Sequence, residues 1–149
     1  SYLDLCEYIQ NQLQNIGLNV MIEVNPPSTH REMVATSKLT FFRGSWIADY
    51  PDAENYFSLF YSKNFSPNGP NYTHFNSNIF DDLYELALLE KNLNERIKLY
   101  HKMDQLLIDN AVIVPLYYDR VLRFSHNNLK YFESNPMNLL NLKNVIKYN

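Results

Sequence analysis

Apolar residues recur at helical spacing in three long stretches and alternate or cluster in several others. Tyr2, Leu5, Cys6, Ile9, Leu13 and Ile16 follow the i, i+3, i+4, i+7 rule, so residues 2–16 are predicted to form an amphipathic helix. Gly17 closes it, because a residue without a Cβ takes the left-handed turn at a helix end at little cost. Leu18, Val20, Ile22 and Val24 then alternate with Asn19, Met21 and Glu23, the pattern of a strand with one buried face. Pro26-Pro27 stops this strand, and Thr29 with Glu32 predicts a capping box for a short helix through Lys38. The stretch from Leu39 to Ile47 is aromatic and β-branched and predicts a second strand. Asp52 is placed to cap a helix that buries Tyr56, Phe57 and Phe60, and a long loop follows from Tyr61 to Phe75. Ile79, Phe80, Leu83, Leu86, Ala87 and Glu90 set one further helix. Ile97, Leu99, Tyr100, Met103, Leu106 and Leu107 set another, with Asn94 as its cap. Ala111 to Tyr118 predicts an apolar strand that Pro115 confines to an edge or a bulge. Val121 to Ser125 and Val145-Ile146 predict two more, in an Asn-rich, irregular tail. Helices alternating with strands make the expected class α/β, a mixed sheet flanked by helices.

Composition narrows the function. The chain has 149 residues, enough for one domain with a real core. Net charge is −3 and no basic stripe appears, which argues against nucleic acid as a partner. Cys6 is the only cysteine, so folding does not depend on an internal disulfide. On its helix it reads as a small buried thiol. His30, His74, His101 and His126 have no partner at metal-ligand spacing, so they read as surface or structural and no metal site is expected. Asn64-Phe65-Ser66 and Asn71-Tyr72-Thr73 match the glycosylation sequon, as chance allows in an Asn-rich chain. No signal peptide opens the sequence and no apolar run is long enough to span a bilayer. Ser1-Tyr2 falls inside a helical pattern without a Met, so the chain is expected to be a piece of a longer protein.

Chemistry converges on one run, Arg43-Gly44-Ser45-Trp46-Ile47-Ala48-Asp49-Tyr50-Pro51-Asp52-Ala53-Glu54-Asn55. Gly44-Ser45 is not a nucleophile elbow, because Trp46 and Ile47 occupy the positions that must stay small. Three dispersed glycines cannot build a phosphate loop. No nucleophile and base are found together, so an enzyme is not expected. Trp46 is the only Trp, and Asp49 stands three residues after it. On spacing alone, Asp49 fits an ordinary Asx-type turn before Pro51. It also fits a carboxylate projecting into a cleft, where a charge-assisted pair with an ammonium is stronger than a neutral hydrogen bond. Trp46 would then exclude water from that pair. Arg43 reads either as a solvated strand-end charge or as a guanidinium offered to a carboxylate.

Trp46-Ile47-Ala48-Asp49-Tyr50-Pro51-Asp52-Ala53-Glu54-Asn55, with Phe57 and Leu59-Phe60, resembles the signature of the oligopeptide- and dipeptide-binding proteins of bacterial ABC importers. The order of motifs around it is similar too. Leu13 to Val20 resembles the family's helix-to-strand step, and Tyr72 to Leu83 its asparagine–aromatic segment with a small Asp-Leu helix. Glu95 to Tyr100 resembles its arginine…leucine-tyrosine helix. Asp109 to Tyr118 resembles its proline…tyrosine-tyrosine strand, with Val112 where the family often has Pro.

The resemblance implies a two-lobe, type II-like periplasmic-binding fold whose cleft closes on a peptide. Residues 1–118 would form most of the second, C-terminal lobe, and residues 119–149 the return toward the first. It implies that Asp49 pairs with the ligand's α-amino group and that Trp46 lines a side-chain pocket. In some members an Arg three before the Trp, here Arg43, binds a peptide carboxylate, and the positions of Tyr117 and Tyr118 contact ligand. It implies a permease partner, no cofactor, and a periplasmic or cell-surface location with a lipid anchor on the full-length protein. Relatives on this scaffold bind nickel, haem or oligosaccharide, so the ligand class stays open. A scaffold that binds no small ligand, with an exposed apolar patch inviting self-association, is the reading from another class.

Overall fold

The computed structural model describes residues 2–135 and 139–148. These fall into two units, one up to Lys38 and one from Leu39 onward.

In the first unit, α1 spans Tyr2–Asn15 and α2 spans Pro27–Ala35. α1 ends as its sequence requires. Gly17 sits at φ +85°, its N–H reaches the Gln14 carbonyl at 2.9 Å, and the Leu18 N–H reaches the Leu13 carbonyl at 3.0 Å. This paired closure satisfies two carbonyls that a helix end leaves orphaned. Cys6 is half-buried, less enclosed than its pattern suggested. Residues 18–24 follow, with the side-chain amide of Gln10 holding the Val20 carbonyl at 2.6 Å. They form no ladder among the described residues. An alternating pattern prepares a strand, but a strand exists only where a neighbour supplies the hydrogen bonds. α2 starts two residues before the expected cap. Pro27 takes the first helical position, where its fixed φ and missing N–H cost nothing, so Thr29 lies inside the helix and no capping box forms.

Residues 39–48 at the start of the second unit form neither helix nor ladder, so the strand expected there is absent. α3, Glu54–Phe57, runs into a 3-10 turn at Ser58–Phe60, and another such turn covers Ser62–Asn64. α4 spans Asn78–Leu89 and α5 spans Leu93–Asp109. Phe80, Tyr84 and Ala87 on α4 face Tyr100, Met103 and Leu107 on α5, each set at helical spacing, and Phe57 and Phe60 complete the core. Phe80 and Met103 are fully buried. Enclosing a side chain of that size contributes about 1.5–3 kcal/mol. Rings fix the geometry. Phe57 stacks on Tyr100 with centroids 5.0 Å apart, and Phe75 meets Phe80 edge-on at 5.6 Å.

Several sequence expectations shift by a helical step. Ile79 and Leu86 are exposed, and Tyr84, not on the expected list, takes a core position. Tyr56 is also exposed, leaving Phe57 and Phe60 to face inward. The α5 cap is Asn92 rather than Asn94. Its Oδ1 accepts from the Asn94 and Glu95 N–H groups at 3.0 and 3.4 Å.

The loop from Tyr61 to Phe75 is packed on itself around Asn71, which is fully buried. The Asn71 amide donates to the carbonyls of Tyr61 and Phe75, both at 3.0 Å, so this sequon asparagine is occupied internally. A Cβ on Gly69 would lie 2.4 Å from the Asn64 carbonyl oxygen, which explains glycine there. His74 is structural: its Nε2 lies 2.9 Å from the Ser66 hydroxyl oxygen, and its ring stacks on Phe65 at 4.9 Å.

Beyond α5 the chain turns at residues 110–111 and forms neither helix nor ladder through residue 126, so the two strands expected there are absent. Val112 packs against the core, whereas Tyr118 is 96% exposed. The tail holds the one ladder among the described residues: β1, Leu129–Lys130, antiparallel to β2, Ile146–Lys147. The last strand thus sits one residue later than expected. The fold is helix-rich with a small two-stranded sheet, and the larger mixed sheet expected from the sequence is not formed among the described residues.

Candidate functional site

The run from Arg43 to Asn55 is shaped by its own acids and amide. Residues 39–48 lead into a turn, where the Asp52 N–H reaches the Tyr50 carbonyl at 2.9 Å. The cap of α3 is Ala53 rather than the expected Asp52, which stands one residue earlier and still holds the first helical N–H. The Asp52 Oδ1 accepts from the Glu54 N–H and from the Tyr100 hydroxyl, both at 2.9 Å. Its Oδ2 meets the Arg96 guanidinium at 3.0 Å, and that guanidinium lies 5.4 Å from the Tyr100 ring centroid. One aspartate therefore joins the turn to α5. Burial pushes the Asp52 carboxyl up, but the Glu54 N–H, the Tyr100 hydroxyl and Arg96 together bring it below its usual value. Tyr100 is pushed up to about 12, by burial first and then by the Asp52 carboxylate.

Glu54 ties the same turn to α4. Although a carboxylate, it is only 8% exposed, and it accepts hydrogen bonds from the hydroxyls of Tyr50 and Tyr84. Burial and this carboxylate raise the Tyr84 phenol well above its ordinary value. Tyr50 is raised chiefly by the Glu54 hydrogen bond.

Asn55 turns back toward the start of the run. It is 3% exposed, and its Oδ1 accepts from the Trp46 indole N–H at 2.7 Å and from the Asp49 backbone N–H at 3.2 Å. Trp46 and Asp49, read from the sequence as a pair, are therefore held on one oxygen. Trp46 is half-buried, and Asp49 is exposed. The Asp49 carboxylate makes no hydrogen bond or ion pair among the described residues, so it is open to a cationic group. Arg43 is half-buried at the head of the same run.

Tyr117 and Tyr118 are not brought to this pair. No hydrogen bond or ring contact among the described residues links them to Trp46 or Asp49. Tyr118 instead borders a groove along α5 with His101, Gln105, Ile108 and Pro115. Among the described residues no group of three His, Cys, Asp or Glu side chains could hold a metal ion. No helix among them is long and apolar enough to cross a membrane. Sequence reasoning missed Asn55 as a site residue. Its signal was slight, an amide just inside a helix start, where short polar side chains usually bond locally.

The turn thus combines two bonded acids with one exposed carboxylate, and sequence comparison bears on what such a turn is similar to. Residues 1–68, which include the whole run, match the bacterial extracellular solute-binding proteins of family 5, in their middle region. Over that stretch the chain is similar to a family of binding proteins rather than of enzymes. It is 26% identical over 140 residues to the dipeptide-binding protein DppE of Bacillus subtilis, covering 93% of this chain and 25% of that protein. It is 29% identical over 105 residues to the periplasmic oligopeptide-binding protein OppA of Salmonella typhimurium, covering 70% of this chain and 19% of that protein. Over 128 residues it is 23% identical to the probable D,D-dipeptide-binding periplasmic protein DdpA of Escherichia coli, covering 86% and 25%. The chain thus spans about a quarter or less of the length of these relatives.

Proposed function

We propose that this chain forms part of one wall of a peptide-binding cleft, in a receptor that delivers peptides to an ABC-transporter permease outside the cytoplasm. Asp49 takes the α-ammonium of the peptide, and Trp46 covers the pair and lines the neighbouring side-chain pocket. Arg43 offers its guanidinium to a peptide carboxylate. Tyr117 and Tyr118 contribute from the segment that leads out of the lobe, with residues 1–118 in the second lobe and 119–149 returning toward the first. A lipid anchor holds the complete receptor at the membrane.

One observation supports this reading: an exposed carboxylate with no hydrogen-bond or ion-pair partner among the described residues stands on a backbone fixed to the same oxygen as the only indole. An acid whose task was to stabilise the turn would be bonded as Asp52 and Glu54 are. The names of the relatives, which bind dipeptides or oligopeptides, agree with an amine-bearing ligand. Asp49→Asn tests the assignment. A hydrogen bond to a charged partner is worth about 1.5–3 kcal/mol, so peptide affinity should fall roughly 10- to 100-fold by calorimetry. Unchanged affinity would remove Asp49 from the site.

A further inference from the structure

We infer that Asn55 is a positioning residue of the ligand site, acting through both Trp46 and Asp49. The inference rests on the reading of Asp49 as the ammonium acceptor. A single amide oxygen has two lone-pair directions, and here both are taken. One receives the Trp46 indole N–H at 2.7 Å and the other the Asp49 backbone N–H at 3.2 Å. The residue is enclosed, so water cannot replace that oxygen. Its backbone is fixed as well. The Asn55 N–H reaches the Asp52 carbonyl at 3.2 Å, and its own carbonyl accepts from the Ser58 hydroxyl at 2.8 Å.

The consequence is geometric. Residues 46–49 have neither helix nor ladder to hold them. Among the described residues, the hydrogen bonds that tie Asp49 and Trp46 to α3 both end on this one oxygen, across six and nine residues. Without it, the Asp49 backbone and the indole plane could each rotate, and the carboxylate would meet the ammonium in many poses rather than one. Pre-orientation of this kind appears as affinity and as discrimination between ligands. Asn55 needs no contact with the peptide to set both.

The test uses one dipeptide with its amino terminus either free or acetylated, and reads the ratio of the two affinities in the protein. Asn55→Leu removes the acceptor while keeping the size. Asn55→Asp keeps an acceptor oxygen for both donors. The expected ratio falls about tenfold or more in Asn55→Leu, by the range for a hydrogen bond to a charged group, and stays at or above the wild-type value in Asn55→Asp. In the unmodified protein the Trp46 indole proton, assigned by its loss in Trp46→Phe, should be hydrogen-bonded and slow to exchange by NMR. That reading does not depend on whether the Leu variant folds. Equal loss of affinity for both peptide forms in Asn55→Leu, with the ratio unchanged, would make Asn55 merely structural and overturn the inference. So would a fast-exchanging indole proton in the unmodified protein. A wild-type protein indifferent to acetylation would instead overturn the Asp49 reading, and this inference with it.

Discussion

Tyr84→Phe removes one hydroxyl and nothing else from the network that joins the ligand turn to α4. The ring stays in place, packed 4.6 Å from the Tyr61 ring between centroids. The Glu54 carboxylate, enclosed by the fold, loses one of its two phenol donors. Water cannot reach it easily, since Tyr84 is 5% exposed and Glu54 8%. A buried hydrogen bond to a charged group contributes about 1.5–3 kcal/mol, so unfolding in urea should be easier by about that amount. Tyr50→Phe is the internal comparison. Tyr50 is 43% exposed, water can substitute for its hydroxyl, and the cost should be about 1 kcal/mol or less. A second background isolates the pair. With Glu54→Leu already present, the acceptor is gone, and Tyr84→Phe should cost under about 0.5 kcal/mol or become favourable, because it removes an orphaned buried hydroxyl. Equal costs in the two backgrounds would refute the claim that the Tyr84–Glu54 bond anchors this turn. So would a Tyr50→Phe cost as large as that of Tyr84→Phe.

Two further outcomes follow from the same core. Phe80→Ala opens a cavity where α4, α5 and the 3-10 turn meet, and urea unfolding should show a loss of about 3–5 kcal/mol. A much smaller loss would mean that the site collapses. The second concerns alkaline pH. The Tyr100 phenol is raised to about 12 in the fold, against 10.0 ordinarily, so above pH 10 the unfolded chain releases a proton that the folded chain keeps. Stability should therefore be fully present below pH 10 and decline as pH rises toward about 12, and Tyr100→Phe should flatten that decline in urea titrations.

The helices were legible because their information is local. Periodicity marked α1, α4 and α5, and Gly17 marked the end of α1. Caps were harder, since two asparagines competed for one role. Glu95, three residues after Asn92, was the overlooked signal that favours Asn92. Most of the expected strands are not formed among the described residues, where only Leu129–Lys130 and Ile146–Lys147 pair. Pairing is decided by a distant partner, and the alternation of Leu18 to Val24 says nothing about which one. The site divided in the same way. Trp46 and Asp49 were visible as residue types at a suggestive spacing, and the structure holds them together. The internal roles of Asp52, Glu54 and Asn55 were hidden, because each depends on a partner across the fold or across a turn. Those internal roles leave Asp49 as the acid of this run without a hydrogen-bond or ion-pair partner for its carboxylate among the described residues.

The central claim is that this carboxylate binds a peptide α-ammonium. Calorimetry with a dipeptide, free and N-acetylated, on the wild-type protein and on Asp49→Asn tests it most directly. The account predicts that the wild type binds the free peptide roughly 10- to 100-fold more tightly than the acetylated one, and that Asp49→Asn erases this preference. Equal affinities for the two peptides in the wild type, or a preference that survives in Asp49→Asn, would contradict it.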